Sequence, residues 1–341
     1  MNLKPFARWL LPCVVLSMPS CAPAARGDGP KEAAPKAGRP VARPSASEGD
    51  PRPDLGLNAD LHGVQVFPDD NPWNLSIDHL PVDANSAALI ASIGIEGHLH
   101  PNFGRSADGQ ANGIPYIVVP GDQPRLPVTF EYADDSDHDS YPIPPDPPIE
   151  GGPQAKGDRH IIMLDRDHER LYELYSVDKR GTLWHAGSGA VFDLRSNALR
   201  PLGWTSADAA GLPVFPGLVR YDEVVDQGEI RHALRFTAKT TRRAYVHPAR
   251  HWASRLKDAN LPPMGLRVRL KASFDISPFP QCARVILTAL KKYGMLLADN
   301  GSDWFITGSP HPDWNDAELA TIKRVKGSDF EVVQMGNIVH D

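Results

Sequence analysis

Ile161-Ile162-Met163-Leu164, Asp165-Arg166-Asp167-His168-Glu169 and Leu171-Tyr172-Glu173-Leu174-Tyr175 follow one another, two apolar runs around a polar turn. Runs of this length, rich in Ile, Leu and Tyr and split by turn-forming aspartates, read as a β-hairpin. The same signal recurs. Val128-Thr129-Phe130-Glu131-Tyr132 alternates, as does Ile230–Ala238 with Ile230, His232, Leu234, Phe236 and Ala238 on one face. Leu266, Val268 and Leu270 alternate with Arg267, Arg269 and Lys271. Short strands are also expected at Tyr116–Val119, Ala190–Leu194, Ala244–His247, Met295–Ala298, Trp304–Thr307 and Phe330–Val333. Helices are few: Ser86–Ile93, one carrying Cys282, Val285, Ile286, Ala289, Leu290 and Tyr293 at i, i+3, i+4, i+7 spacing, and one after Asn315, with Glu318 completing a capping box. This pattern predicts a mainly β, α+β fold: a β-sandwich or jelly-roll-like core with a few appended helices.

The start of the chain gives an address. Lys4 and Arg8 precede the apolar segment Trp9–Leu16, too short to span a bilayer, and Ser17-Met18-Pro19-Ser20 leads to Cys21. Residues 1–21 read as an export signal of lipoprotein type with Cys21 as the lipidation site. Ala22-Pro23-Ala24 offers a rival site for plain secretory cleavage into the periplasm or medium. Residues 22–55, rich in Ala, Pro and Gly, cannot bury enough apolar surface to offset their ordering entropy and are expected to form a tether. Residues 56–141 are expected to form an N-terminal lobe, 142–153 a Pro-rich connector, and 154–341 the main β-rich domain.

Charge narrows the partners. The 341-residue chain has a formal charge of −6. Residues 1–55 hold eight Lys/Arg and five Asp/Glu, which leaves 28 basic and 37 acidic side chains, net −9, for the remainder. Such a surface does not suit nucleic acid, whose phosphates need clustered cations. Cys13 leaves with the signal and Cys21 carries the lipid, so only Cys282 remains, on an apolar helix face where a buried thiol is the expected role.

From Asn71-Pro72-Trp73-Asn74 through Gly157-Asp158-Arg159-His160 and Trp204-Thr205-Ser206-Ala207-Asp208 to Ala298-Asp299-Asn300-Gly301-Ser302, the chain resembles a family of secreted bacterial proteins of unassigned activity. The resemblance implies export and brings no catalytic residue with it.

Candidate sites rest on residue chemistry. Asp134, Asp135, Asp137 and Asp139 crowd four carboxylates into one loop; a hard cation such as Ca²⁺ would relieve their repulsion, whereas a solvated acidic loop needs none. No cofactor is otherwise required. His98 and His100, with His79, offer imidazoles at spacing suited to a metal or to backbone bonding in a turn. Asp165 to Glu169 at the hairpin tip offers either a His–Asp dyad or ordinary turn chemistry.

The richest stretch is Trp204 to Glu223. Asp208 and Asp222 offer two carboxylates for glycoside hydrolysis, and Trp204 an indole to stack on a sugar. Arg220 and Tyr221, with His232, would instead suit a polysaccharide lyase. Trp304 and Asp299 are placed on the substrate-binding rim, and Arg250-His251-Trp252 forms a polar-aromatic loop. These features point to a carbohydrate-active enzyme of the cell envelope, a glycosidase or a lyase, with a polysaccharide or envelope glycan as partner. A non-catalytic glycan- or envelope-binding lipoprotein is the alternative. The hydrolase requires Asp208 and Asp222 to share one cleft, about 5–10 Å apart; carboxylates in separate turns favour the binding protein.

Overall fold

The computed structural model describes residues 52–105 and 109–340; the signal segment, Cys21 and all but the end of the tether lie outside them. The fold is mainly β with few helices. Ile161–Asp165 and Arg170–Tyr175 pair antiparallel with Leu164 opposite Leu171, the hairpin read from the sequence. They sit inside a five-stranded sheet ordered Gly56–Leu57, Tyr116–Val119, Ile161–Asp165, Arg170–Tyr175, Ser188–Asp193. Both faces of this sheet are covered. Ile161, Met163, Tyr172 and Leu174 join a small core with Tyr141, Ile143 and Trp184. Ile162, Leu164 and Leu171 join the large core. Double burial explains why the run Ile161–Leu164 is unbroken rather than alternating with polar residues.

A three-stranded sheet of Val128–Phe130, Leu183–Ala186 and Asp178–Arg180 contributes Trp184 and Ala186 to the small core. The large core includes a six-stranded sheet ordered Phe330–Val332, Arg267–Leu270, Met295–Asn300, Leu234–Ala238, Phe305–Thr307, His100–Asn102. Helix Gln281–Lys292 joins Arg267–Leu270 to Met295–Asn300 and buries Val285, Ile286, Ala289 and Leu290, the stripe its spacing predicts. Cys282 is buried with them, and burial pushes its thiol up to about 12, so it is inert as a nucleophile. Asn315 caps helix Asp316–Ala320 by accepting the Glu318 amide, as the capping box predicts. Among the described residues no helix is long and apolar enough to cross a membrane.

The expected division at residues 142–153 does not hold. Tyr116–Val119 pairs in parallel with Ile161–Asp165, Val128–Phe130 with Leu183–Ala186, and His100–Asn102 with Phe305–Thr307. Strands from both sides of the Pro-rich stretch therefore share sheets, and the described residues fall in one unit. Tyr141 and Ile143, at the start of that stretch, are buried in the small core. Parallel partners are joined by long connections, so local sequence pattern does not reveal them.

The segment around residues 206–219 is wedged between the five- and six-stranded sheets. On one side Glu173 accepts the amides of Val214 and Phe215 at 2.8–3.0 Å, and Ser188 Oγ donates to the Ser206 carbonyl at 2.6 Å. On the other, the Val219 amide donates to the Thr307 carbonyl at 3.0 Å. Gly217 makes this close approach possible: a Cβ there would lie 2.8 Å from Arg235 Cβ and from two carbons of the Trp73 ring. Gly217→Ala is accordingly expected to lower stability by about 1–3 kcal/mol through overpacking, measured as a reduced urea midpoint with an unchanged m-value.

Candidate functional site

Burial in that wedge decides the roles of the residues expected to be catalytic. Asp208 has no exposed side chain. Its Oδ2 accepts Arg235 Nε at 2.8 Å and its Oδ1 accepts Nη2 at 2.5 Å, while Arg235 Nη1 donates to Thr307 Oγ1 at 2.5 Å. Both oxygens of Asp208 are thus committed to one guanidinium between two layers, with no face open to a substrate. Trp304, expected on a binding rim, is fully buried and stacked between Phe236 and Phe330, at 5.9 and 5.1 Å between centroids. Its Nε1 donates to the Gly94 carbonyl at 2.8 Å. It is a core residue, not a sugar platform. Trp204 is half-buried beneath the Arg200 guanidinium, 5.4 Å from its ring.

Arg220, Asp222, Glu223 and His232 form a second buried group. Arg220 Nη2 donates to Glu223 Oε1, and its Nε lies 3.9 Å from Asp222 Oδ1. Asp222 Oδ2 accepts the Leu61 amide at 3.2 Å. His232 has both ring nitrogens engaged, Nε2 with Glu223 at 3.1 Å and Nδ1 with the Ala233 carbonyl at 2.8 Å. The adjoining cavity measures ≈ 10 Å³, room for about one water and no sugar ring. Tyr221 does not join this group; its ring stacks on His311 with centroids 3.7 Å apart. Asp208 and Asp222 therefore belong to two separate ion-pair groups, and the expected Asp208/Asp222 pair does not form a catalytic cleft. Helical spacing and turns bring Arg220 to Glu223, a pair that sequence reading overlooked.

A guanidinium also reaches into the acidic loop. Asp137 Oδ2 accepts Arg200 Nη1 at 2.5 Å and the Val191 amide at 2.9 Å, and Arg200 Nη2 donates to the Asp135 carbonyl at 2.8 Å. Asp134 and Asp139 are exposed. Arg200 thus neutralises one of the four carboxylates, Asp137, and among the described residues no three His, Cys, Asp or Glu side chains converge as a metal site. The histidines do not converge either: His98 bonds to the Lys323 carbonyl at 2.7 Å, His100 stacks on Phe305 at 4.1 Å, and His79 is exposed beside Asp78. At the hairpin tip, buried Asp165 accepts the His168 amide at 3.0 Å and its Nδ1 at 2.9 Å, which closes the turn.

A different group of residues combines exposure with perturbed acidity. A cleft of ≈ 460 Å³ opens between the 153–159 loop and residues 176–187, lined by Glu131, Gln154, Arg159, Ser176, Asp178, Arg180, His185 and Gly187. Tyr175 adjoins it: a Cβ on Gly187 would lie 2.8 Å from Tyr175 Cδ1, so only glycine lets the chain pass over that ring. Burial pushes the Tyr175 hydroxyl up to about 12, with Asp158, Asp299, Tyr132 and Glu131 adding their charge, and it stays a hydrogen-bond donor. Asp299, half-buried, stands at the end of Met295–Asn300. Leu297 pairs with Phe236 and Asp299 with Thr237, so Ala298 is an extra residue, and this bulge re-aims the Asp299 side chain. Burial, reinforced by the charges of Asp208 and Asp158, pushes the Asp299 carboxyl up to about 8. Asp158 is exposed. Asn300, next to Asp299, donates from Nδ2 to the Ala253 carbonyl at 2.9 Å and accepts Thr241 Oγ1 at 2.8 Å, fixing the 251–253 loop beside the site.

Behind Tyr175, His160 is buried with its ring 5.6 Å from the tyrosine ring. Its Nδ1 meets Glu150 Oε2 at 2.6 Å and its Nε2 meets the Ala207 carbonyl at 3.0 Å. Burial alone would lower its pKa; the Glu150 carboxylate overrides that and raises it to about 9. Glu150, His160 and Tyr175 have no role assigned by the sequence; the one signal, for His160 and Tyr175, is a polar group beside or within an apolar strand.

These groups act in one direction on stability. Burial raises Asp222 to about 6 and Glu173 to about 7, against partial relief from Arg220 and from the Val214 and Phe215 amides. With Asp299 and His160, the folded state holds more protons than the unfolded chain throughout the range between the unfolded and folded values. The contribution is full below the unfolded values and is lost as pH rises through the folded ones. Glu150 and Glu223 are lowered, because His160 and Arg220 outweigh burial, so their contribution is lost only as pH falls through the acid range. Thermal unfolding is therefore expected to give its highest Tm near about pH 5–6 and a steady fall to pH 9. A Tm that rises over that range would contradict the assignment.

No protein-family model matches the chain. Neither the curated proteins nor the solved structures yield a match.

Proposed function

We propose that this protein is an exported glycan hydrolase whose acid and base are Asp299 and Asp158. The observation that carries this reading is an open polar cleft of ≈ 460 Å³ that adjoins Tyr175, supported by the half-buried Asp299 carboxyl, which burial and the charges of Asp208 and Asp158 push up to about 8. Glycoside cleavage needs one carboxyl that is still protonated at working pH, to give its proton to the leaving oxygen, and one carboxylate that activates water or attacks the anomeric carbon. Asp299 has the first property, and Asp158, exposed and next in sequence to the cleft-lining Arg159, is assigned the second. The Tyr175 hydroxyl, which burial pushes up to about 12, stays protonated and is assigned as a donor to a substrate oxygen. The cleft wall of Glu131, Gln154, Ser176 and His185 offers donors and acceptors to sugar hydroxyls. Export rests on residues 1–21 and places the enzyme at the cell envelope, lipid-anchored through Cys21.

Hydrolysis suits the site better than elimination. A lyase must neutralise a uronate with a cation free to bind it. Arg159 spends its guanidinium on the carbonyls of Pro153, Ala155 and Val177, and Arg180 pairs with Asp178 at 2.8 Å. The test is a panel of neutral, aminated and uronate polysaccharides assayed for new reducing ends and for absorbance of unsaturated uronates. New reducing ends without that absorbance, lost in Asp299→Asn, are expected. Binding without cleavage would assign the cleft to a glycan-binding protein, and unsaturated products would assign it to a lyase.

A further inference from the structure

Residues 61–66 run as a strap over the buried group of Arg220, Asp222, Glu223 and His232. Leu61, Val66 and Phe67 are buried in the large core and anchor its ends, while His62 and Val64 between them are exposed. The backbone is left-handed at His62, Gly63 and Phe67, with φ +52°, +74° and +67°. Residues with a Cβ seldom hold this conformation unless the surroundings impose it, and such positions gather at switch regions. The strap is tied down where Asp222 Oδ2 accepts the Leu61 amide at 3.2 Å and where Arg231 Nη2 donates to the Gly63 carbonyl at 2.6 Å. His62 sits between two carboxylates, its Nε2 3.2 Å from Asp54 and its Nδ1 3.6 Å from Asp60. The cavity of ≈ 10 Å³ beneath is closed by Gly63, Val64 and Gln65 and floored by Arg220, Asp222 and His232. Arg220 Nε and Nη1 and Asp222 Oδ1 have no hydrogen-bond partner among the described residues, although both side chains are buried. Such orphaned atoms are costly, so they favour a state that admits water or a polar ligand. Asp222 also opens the π-helical segment Asp222–Gln227, a rare geometry that is frequent at functional sites.

We propose that residues 62–65 are a pH-operated cover, which stays shut over this cavity in acid and lifts at neutral pH to expose Arg220 and Asp222. It operates whether or not the 153–187 cleft cleaves glycans. With the strap shut, Asp222 faces Arg220 at 3.9 Å, with Glu223, Asp60, His62 and Tyr116 as the other titratable groups around it. Its Oδ1 is cut off from water, which favours the neutral acid; burial pushes the carboxyl up to about 6, and Arg220 opposes this without overriding it. The hydrogen bond to Asp54 raises His62, with the charges of Asp60 and Asp222 adding to it against partial burial. Lifting the strap hydrates both groups and returns them toward their ordinary values. Each therefore binds its proton more tightly in the shut state. That advantage is full below the ordinary values and is lost as pH rises through the shut-state ones.

The readout is hydrogen exchange of the Arg220 Nε–H by ¹⁵N NMR in the full chain, corrected for the intrinsic rate at each pH. The amide of Phe236, fully buried in the large core, is the reference for global unfolding. Arg220 is expected to exchange faster than Phe236 at every pH, because lifting four residues costs less than unfolding the chain. From about pH 4 to about pH 7 its opening constant is expected to rise on the order of 10²-fold, the span between an ordinary aspartate near about 4 and a buried one near about 6. Asp222→Asn combined with His62→Gln has neither titrating group and should abolish the rise; asparagine resembles the neutral acid, so the fold is retained. Arg231→Ala releases the Gly63 carbonyl and should speed exchange roughly 2–10-fold at both ends of the range. Exchange at Arg220 no faster than at Phe236, no rise in the wild type, a rise that persists in the double variant, or an Arg231→Ala rate equal to wild type would each overturn the proposal. So would a double variant that fails to fold, since the shut strap prefers an uncharged Asp222.

Discussion

Asp208→Ala is expected to lower the free energy of unfolding by about 3–5 kcal/mol, because it strands a buried guanidinium. Arg235 is only 4% exposed, and Nε and Nη2 both lose their acceptor when Asp208 is removed. No solvent reaches the gap between the sheets to replace it, so the uncompensated charge carries the penalty. The pair itself contributes far less than its removal costs, since bringing both ions out of water consumes most of their attraction. Asp208→Leu combined with Arg235→Met should consequently recover most of the loss. Chemical denaturation of the two single variants and the double variant checks this. A double variant as unstable as either single would mean that the ion pair stabilises strongly in its own right. One as unstable as the sum of the singles would mean that the two side chains are not coupled.

Asp299→Asn is expected to reduce glycan cleavage by about 10²–10⁴-fold without loss of fold. Asparagine keeps the size of the side chain and can still accept the Asn300 amide, which Asp299 Oδ1 accepts at 2.7 Å. It has no acidic proton to give to the leaving oxygen. Because Asp299 must be protonated to act, the rate should fall as pH rises through about 8. Asp158→Asn removes a charge that holds the proton on Asp299, so any activity left in that variant should have its alkaline limb at lower pH. Full activity in Asp299→Asn would remove the residue from the reaction.

Sequence pattern reveals elements whose determinants are local. The hairpin Ile161–Tyr175, the helix Gln281–Lys292 and the Asn315 cap depend on residues within a few positions of each other, and all three form where the spacing places them. Pairings between distant segments are not visible in this way. Tyr116–Val119 finds its parallel partner at Ile161–Asp165 across the Pro-rich stretch, which is why that stretch reads as a boundary and is not one.

The same distinction applies to the site. Aspartates and a tryptophan in Trp204–Glu223 carry the residue types of a sugar site. Their function depends on Arg235, 27 residues beyond Asp208, and on the two sheets that enclose them. Trp304 is likewise a binding aromatic by composition and a core aromatic by position. Asp299 is legible as a site residue, although the Asn300-Gly301 turn signal accounts for its neighbours alone. What the sequence does not display is the bulge at Ala298, or the burial and the Asp208 and Asp158 charges that raise the pKa of Asp299.

The titration of the Asp299 carboxyl by ¹³C NMR bears most directly on whether this cleft holds a catalytic acid. A midpoint near 8 that falls in Asp158→Asn is expected. A midpoint near the ordinary aspartate value of about 4, unmoved by Asp158→Asn, would contradict it.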